Sequence, residues 1–229
     1  MIELGIDTAA QTIAVAVLEG ERVLAERRWR IETTASKELL AGIEAALAEA
    51  AVSRDAIQTI AVSVGPGGYT GLRTGVATAQ GLALGLGIPL AGVGRLEADA
   101  LPHLAPGLPV VAVHDAGRSG IAWAAYVACD APGGGPPEPL SLPRLDTLEE
   151  CVRAAPARAL WCGEVTGELK TARLAAGRTG DTDAADSENV RSAAALVRLA
   201  RLHGAYGDPA AVDVMYLRPP SIGARAGQR

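Results

Sequence analysis

The stretch from Ile57 to Val93 constrains the fold more than any other part of the chain. Ile57 to Val64 is an apolar, β-branched run of strand character, and Gly65 to Thr70 is a glycine-rich turn. Gly71 to about Gly85 has helical spacing, and Pro89 to Val93 reads as a further strand. A strand, a helix and a second strand in that order form a crossover unit, which joins parallel strands. The chain is therefore expected to be α/β.

The flanking sequence extends this unit on both sides. Ile2 to Ile6, Ile13 to Leu18 and Val23 to Ile31 read as three strands, with Asp7 to Thr12 as the link of a hairpin that leaves Asp7 at a strand end. Ser36, just before Leu39, Leu40, Ile43 and Leu47, predicts the cap and apolar face of a helix running to about Ala50. Val110 to Val113 and Ile121 to Cys129, around a turn at Asp115 to Gly120, echo the opening hairpin. That echo implies two lobes with related halves, residues 1–101 and 102–218, followed by a tail over 219–229. Leu148 to Ala154 and Val190 to His203 read as helices, Ala159 to Cys162 and Val212 to Leu217 as strands, and Asp130 to Pro139 as a Pro/Gly-rich loop.

Composition agrees with helices layered on sheets. Of 229 residues 49% are hydrophobic but only 3% aromatic, with no Phe, so the core is built from Ala, Val, Leu and Ile. A formal charge of −5 argues against a chain that grips a nucleic-acid backbone by itself. Cys129, Cys151 and Cys162 are odd in number and show no close paired spacing, which fits buried thiols in a reducing compartment. Met1 to Ala10 has Glu3 and Asp7 and no basic residue, unlike a secretory signal, so a cytoplasmic protein is expected. The apolar stretch Gly75 to Gly94 is divided by Thr78, Gln80 and Pro89, and no membrane helix is expected.

The turn itself, GPGGYTGLRTG, carries Gly65, Gly67, Gly68, Thr70 and Gly71 ahead of a helix, where backbone amides can hold an anion. Leu72 stands where a phosphate-binding lysine would follow a glycine, and Pro66 lacks an amide donor, so no complete nucleotide motif is present. A tight structural turn and an anion loop both remain open. His103, His114 and His203 have no metal-ligand spacing, and Ser63, Ser119 and Cys162 lie in no nucleophile signature.

Three separated segments resemble the TsaB family, also called YeaZ: LGIDTA at Leu4 to Ala9, GPGGYTGLRTGVATAQGLALG at Gly65 to Gly85, and YLR at Tyr216 to Arg218. A weaker match, DAGRSGIAWAAY, spans Asp115 to Tyr126. The chain departs from the family pattern in having Ala35 and Ser36 where His is followed by Ser or Thr, and Asp115, Ala116, Gly117 where Asp-Ala-Arg is usual, with Arg118 one residue later.

The resemblance implies a two-lobed actin-like, sugar-kinase-like (ASKHA) fold with mixed sheets flanked by helices. It implies a non-catalytic activating subunit for threonylcarbamoyl transfer to adenosine of tRNAs that read codons beginning with A. The implied partners are a TsaD-type transferase subunit, a TsaE-type ATPase in the assembled complex and, indirectly, tRNA. No intrinsic cofactor is implied, and ATP or ADP is the candidate ligand at the subunit interface.

In the wider superfamily an Asp after the first strand positions metal-bound phosphate, so Asp7 with Thr8, and Asp115 as a second acid, are candidates for a vestigial nucleotide contact; Asp7 reads equally well as a turn former. Where the TsaD paralogue carries a metal-binding His-x-x-x-His pair, this chain has Arg95 and Asp99, and arginine cannot ligate a metal. Gly71, Gly75, Ala79 and Ala83 recur every four residues as a smooth stripe. With Leu39, Ile43 and Leu47 they form the expected face for a partner helix, or for a second copy when the partner is absent. A bulky residue at Gly75 is then expected to block association more than folding. The alternative from another class is a stand-alone ATPase or small-molecule kinase.

Overall fold

The computed structural model describes residues 1–32, 34–131, 134–186 and 190–217. The chain opens with an antiparallel meander, β1 (Ile2–Asp7), β2 (Thr12–Glu19) and β3 (Arg22–Arg30). β4 (Ile57–Gly65) and β5 (Leu90–Gly94) then add in parallel on the other side of β1, giving the order β3-β2-β1-β4-β5. The second sheet holds β6 (Val110–Asp115), β7 (Ile121–Val127), β8 (Glu138–Asp146), β9 (Leu160–Gly163) and the short β10 (Thr182–Asp183). Its order, β10-β9-β6-β7-β8, is the first order read from the other end. β6 through β8 are antiparallel and β9 and β10 join in parallel, so each lobe repeats one topology.

Helices close both faces of the first sheet. α1 (Ala35–Glu49) and α2 (Tyr69–Leu86) cover the face of Leu4, Ile6, Val15 and Val17 with Leu39, Ile43, Leu47, Val76, Ala79 and Ala83. Thr34, rather than Ser36, occupies the N-cap position of α1. α2 ends at Gly87, whose φ of 68° is a left-handed cap that glycine adopts without strain. The opposite face, built on Ala14, Ala16, Ala61 and Ala91, receives α6 (Ala193–Leu202).

This return of α6 corrects the expected assignment of residues 102–218 to the second lobe. A side chain on Gly5 would meet the Ala193 carbonyl oxygen at 2.3 Å, so β1 and the start of α6 touch through bare backbone. The chain stays with the first lobe beyond α6, as Leu90 and Gly207 exchange backbone hydrogen bonds of 3.0 Å in each direction. Val212 to Leu217 is not a strand in residues 212–217. Gln80 Nε2 instead donates to the carbonyl oxygens of Pro209 and Val212, and the Met215 amide to Val64. Arg218 and the expected tail over 219–229 lie outside the described residues.

α4 (Leu148–Ala154) and α5 (Gly167–Ala175) cover one face of the second sheet, over Trp123 and Trp161. α3 (Arg95–Ala100) lies between the lobes, giving Ala98 to the first lobe's core and Leu96 and Ala100 to the second's. β8 begins inside the expected loop Asp130 to Pro139, and its Pro139 and Pro143 fit because β8 is an edge strand with no ladder on its outer side. Among the described residues no helix is long and apolar enough to cross a membrane.

Candidate functional site

The glycine-rich turn meets the chain just beyond β1 through its backbone, while Gly68, Tyr69 and Thr70 are exposed. Thr8 is fully buried and donates its hydroxyl to the Gly71 carbonyl at 2.8 Å, while the Gly68 amide donates to the Ala9 carbonyl at 3.0 Å. A Cβ on Gly67 would lie 2.1 Å from the Ala9 oxygen, and one on Gly71 would lie 2.4 Å from the Thr8 oxygen. These glycines let α2 start against bare backbone. Thr70 accepts a hydrogen bond from the Thr74 hydroxyl through its carbonyl and is exposed.

Between the lobes lies a cleft of about 810 Å³, walled by Gly67 and Gly68 on one side and by Asp115, Gly163 and Glu164 on the other. Asp7, at the end of β1, is buried to 4% exposure, and each of its oxygens is engaged: one accepts from the Ala9 amide at 3.0 Å and the other pairs with the cleft-lining Arg191. Asp115 does not meet Asp7. Its side chain accepts from the Gly117 amide at 2.8 Å, and its own amide donates to Glu164 at 3.1 Å.

Arg95, almost fully buried at the start of α3, ties the cleft floor together. It contacts Asp99 one turn along at 3.3 Å and Glu164 of the second lobe at 2.6 Å. His114 Nδ1 sits 2.9 Å from Arg95 Nη1 and 2.8 Å from Glu164 Oε2. Burial opposes ionisation of Glu164, but the His114 hydrogen bond and the Arg95 guanidinium outweigh it and hold the carboxyl below the usual range. For Asp99 burial wins, and Arg95 and Arg191 only partly offset the upward shift. Arg95 itself, though penalised by burial, is raised by Asp99 and Glu164.

Arg95 and Asp99 therefore form a buried structural ion pair. Among the described residues no group of three or more His, Cys, Asp or Glu side chains is placed to hold a metal ion. Sequence reasoning missed Arg191 and Glu164, because their roles depend on approaches across 184 residues to Asp7 and 69 residues to Arg95.

The expected partner face turns inward. Leu39, Ile43, Leu47, Ala79 and Ala83 belong to the first lobe's core, and a Cβ on Gly75 would sit 2.1 Å from the Thr8 hydroxyl oxygen. The four-residue stripe is therefore the face that α2 packs onto its own sheet. The outward face of the same helix pair carries Leu40 and Leu84, exposed to 51% and 61%, with Ala41, Ala77, Gly81 and Gly85 around them. A side chain on Gly81 or Gly85 would meet nothing within 4 Å.

Residues 32–132 match the family described as TsaD, tRNA N6-adenosine threonylcarbamoyltransferase. A TsaB protein of tRNA threonylcarbamoyladenosine biosynthesis from Bacillus subtilis is 34% identical over 97 residues, 42% of each chain. An uncharacterized protein of Mycobacterium tuberculosis is 35% identical over 134 residues, 56% of this chain and 59% of its own length. The match thus spans a little over half the length of that mycobacterial relative. Among solved structures, YeaZ from Pseudomonas aeruginosa superposes with a TM-score of 0.75 over 94% of this chain and all of its own, at 24% identity, which establishes a shared fold.

Proposed function

We propose that this chain, a member of the TsaB (YeaZ) family, serves as the non-catalytic activating subunit in threonylcarbamoyl transfer to adenosine of tRNAs that read codons beginning with A. The observation that carries this reading is the commitment of Asp7 to Arg191. A carboxylate that must position metal-bound phosphate needs its oxygens available to the ion, and here an arginine and a backbone amide occupy them. The other cleft acids, Asp99, Glu164 and Asp115, are likewise engaged by Arg95, His114 or backbone amides. Such a cleft supports a scaffold better than a phosphoryl-transfer site.

On this reading the chain acts in the cytoplasm and docks a TsaD-type transferase through the outward face of α1 and α2, around Leu40, Gly81 and Leu84. A second copy would use the same face when the transferase is absent. The transferase, assisted by a TsaE-type ATPase, carries the chemistry and binds tRNA, while ATP or ADP, where present, sits at the subunit interface. Depleting the chain in its host and quantifying threonylcarbamoyladenosine by mass spectrometry tests the proposal, with loss of the nucleoside expected. An unchanged level rejects it, and ATP turnover by the isolated chain would establish the alternative, a stand-alone ATPase or kinase.

A further inference from the structure

β8 closes one end of the second sheet, and among the described residues no strand pairs with its outer edge. Charge, proline and bulges commonly blunt such an edge, and β8 has two prolines and two shifts of register against β7. It nevertheless leaves Leu140 and Leu142 51% and 73% exposed, beside exposed Glu138, Pro139 and Arg144. Residues 138–144 read Glu-Pro-Leu-Ser-Leu-Pro-Arg. The run is symmetric about Ser141 except at its two ends, which carry opposite charges.

We propose that β8 is a self-association edge that takes β8 of a second copy, antiparallel, about a two-fold axis at Ser141. In that register Leu140 of one copy faces Leu142 of the other and Glu138 faces Arg144, each contact occurring twice, as an isologous interface requires. The prolines select the same register. Each falls opposite a proline of the other strand, so the missing amide donors coincide at two pairs, whereas a slip of one residue spreads them over four and parts the charges. Arg144 is already ordered, with Nε 2.6 Å from Asp146 and its guanidinium carbon 5.4 Å from the centre of the Trp123 ring, so meeting Glu138 costs it little further freedom. One nine-residue strand from each copy buries little area, and the dimer is accordingly weak and concentration-dependent. It joins two second-lobe sheets into one and uses no residue of α1 or α2, so it is compatible with the docking face assigned to them above.

The test starts from the Leu84→Arg chain, whose charge on α2 opposes association through the helices, and follows its mass by analytical ultracentrifugation over a concentration series, with a thermal melt of every variant as a folding control. A monomer–dimer equilibrium is expected. Adding Leu142→Arg should abolish it, and adding Glu138→Arg, which sets like charges face to face at both ends, should weaken it about tenfold. Cross-linking in a Cys129→Ser background, where the remaining thiols are buried, reads the register. A cysteine at position 141 meets its own copy directly, whereas one at position 138 lies six residues along the strand from its copy, about 20 Å away. Oxidation should therefore give a covalent dimer with Ser141→Cys and none with Glu138→Cys. A Leu84→Arg chain that is monomeric at every concentration overturns the proposal, as does a dimer that survives in folded Leu142→Arg protein. Equal cross-linking at both positions, or open-ended association in place of a dimer, also overturns it. Because the assay needs no transferase and no modified nucleoside, its failure is separate from failure of the pathway assignment.

Discussion

The hydroxyl oxygen of Thr8 occupies the place where a side chain on Gly75 would begin, 2.1 Å from the ideal Cβ position. Thr8 is itself held by its hydrogen bond to the Gly71 carbonyl, so the contact joins β1 to α2 at one point and leaves no room to shift. Gly75→Leu should therefore destabilise the fold by roughly 3 kcal/mol or more, since it overpacks the core and breaks the Thr8 bond. This reverses the expectation that the substitution blocks association and spares folding. Urea denaturation of the parent and the variant measures it, and an unchanged midpoint would return the stripe to the surface.

The outward face of α2 behaves in the opposite way. Gly81 has open space beyond its Cα, so Gly81→Ala should raise stability by up to about 1 kcal/mol through helix propensity alone. Leu84→Arg places a charge on a residue already 61% exposed and should leave the melting temperature within a degree or two. The same variant should fail to co-elute with a TsaD-type subunit on size exclusion, because an unpaired charge at the centre of an apolar contact is costly. Normal co-elution would move the interface off these helices.

The difference between the two faces explains what the sequence could and could not disclose. Four-residue spacing of Gly71, Gly75, Ala79 and Ala83 identifies one side of a helix, but a smooth side fits its own sheet as well as a partner. The parallel relation of β4 and β5 was legible because Ile57 to Val93 dictates a crossover, whereas the pairing of β1 with β4 joins segments that this unit does not link. β8 was hidden by Pro139 and Pro143, which weaken a strand pattern that only its edge position permits. The cleft network was hidden for another reason. Asp7 with Arg191, and Arg95 with Glu164, join segments whose approach depends on the whole tertiary fold, whereas Arg95 with Asp99 is an i,i+4 pair open to sequence reading.

Arg95 is the cation on which that network depends. Arg95→Met removes it from between two carboxylates and leaves the buried Asp99 without its main counter-charge, so a loss of about 3–5 kcal/mol at neutral pH is expected. The pH dependence has a definite sign. Asp99 is shifted upward by burial, and losing Arg95 raises it further, so its protonated form is favoured in the folded variant. Stability linked to such a group is present below its unfolded value near 4 and is lost as pH rises through the folded one, so the deficit of Arg95→Met should narrow on going from pH 7 to pH 5. A deficit that widens on acidification would contradict this.

Glu164 should show the opposite linkage, since its carboxyl is held below the ordinary range by His114 and Arg95 against the pull of burial. Its contribution is present above its unfolded value near 4 and is lost as pH falls through the folded one. Glu164→Gln should lower the melting temperature at pH 7 and converge with the parent chain under strongly acidic conditions. Parallel stability curves for the two proteins would show that Glu164 is not ionised in the cleft.

The cysteines give a prediction that requires no partner. Burial pushes the Cys151 thiol up to about 12, and Cys162, enclosed between the second sheet and α3 with Asp99 nearby, is raised well above the usual value by the same cause. Alkylation proceeds through the thiolate, and at pH 8 a thiol with a pKa near 12 is ionised in only about one molecule in ten thousand. Cys129 is partly accessible and lies beyond the end of β7. Iodoacetamide at pH 8, followed by mass spectrometry, should label Cys129 alone in the folded chain and all three sites in denaturant. The rate at Cys151 and Cys162 then reports global unfolding, because both side chains lie in the second lobe's cores and need that lobe to open before reagent can reach them. Rapid labelling of either buried thiol under native conditions would mean that the second lobe opens far more readily than its packing allows.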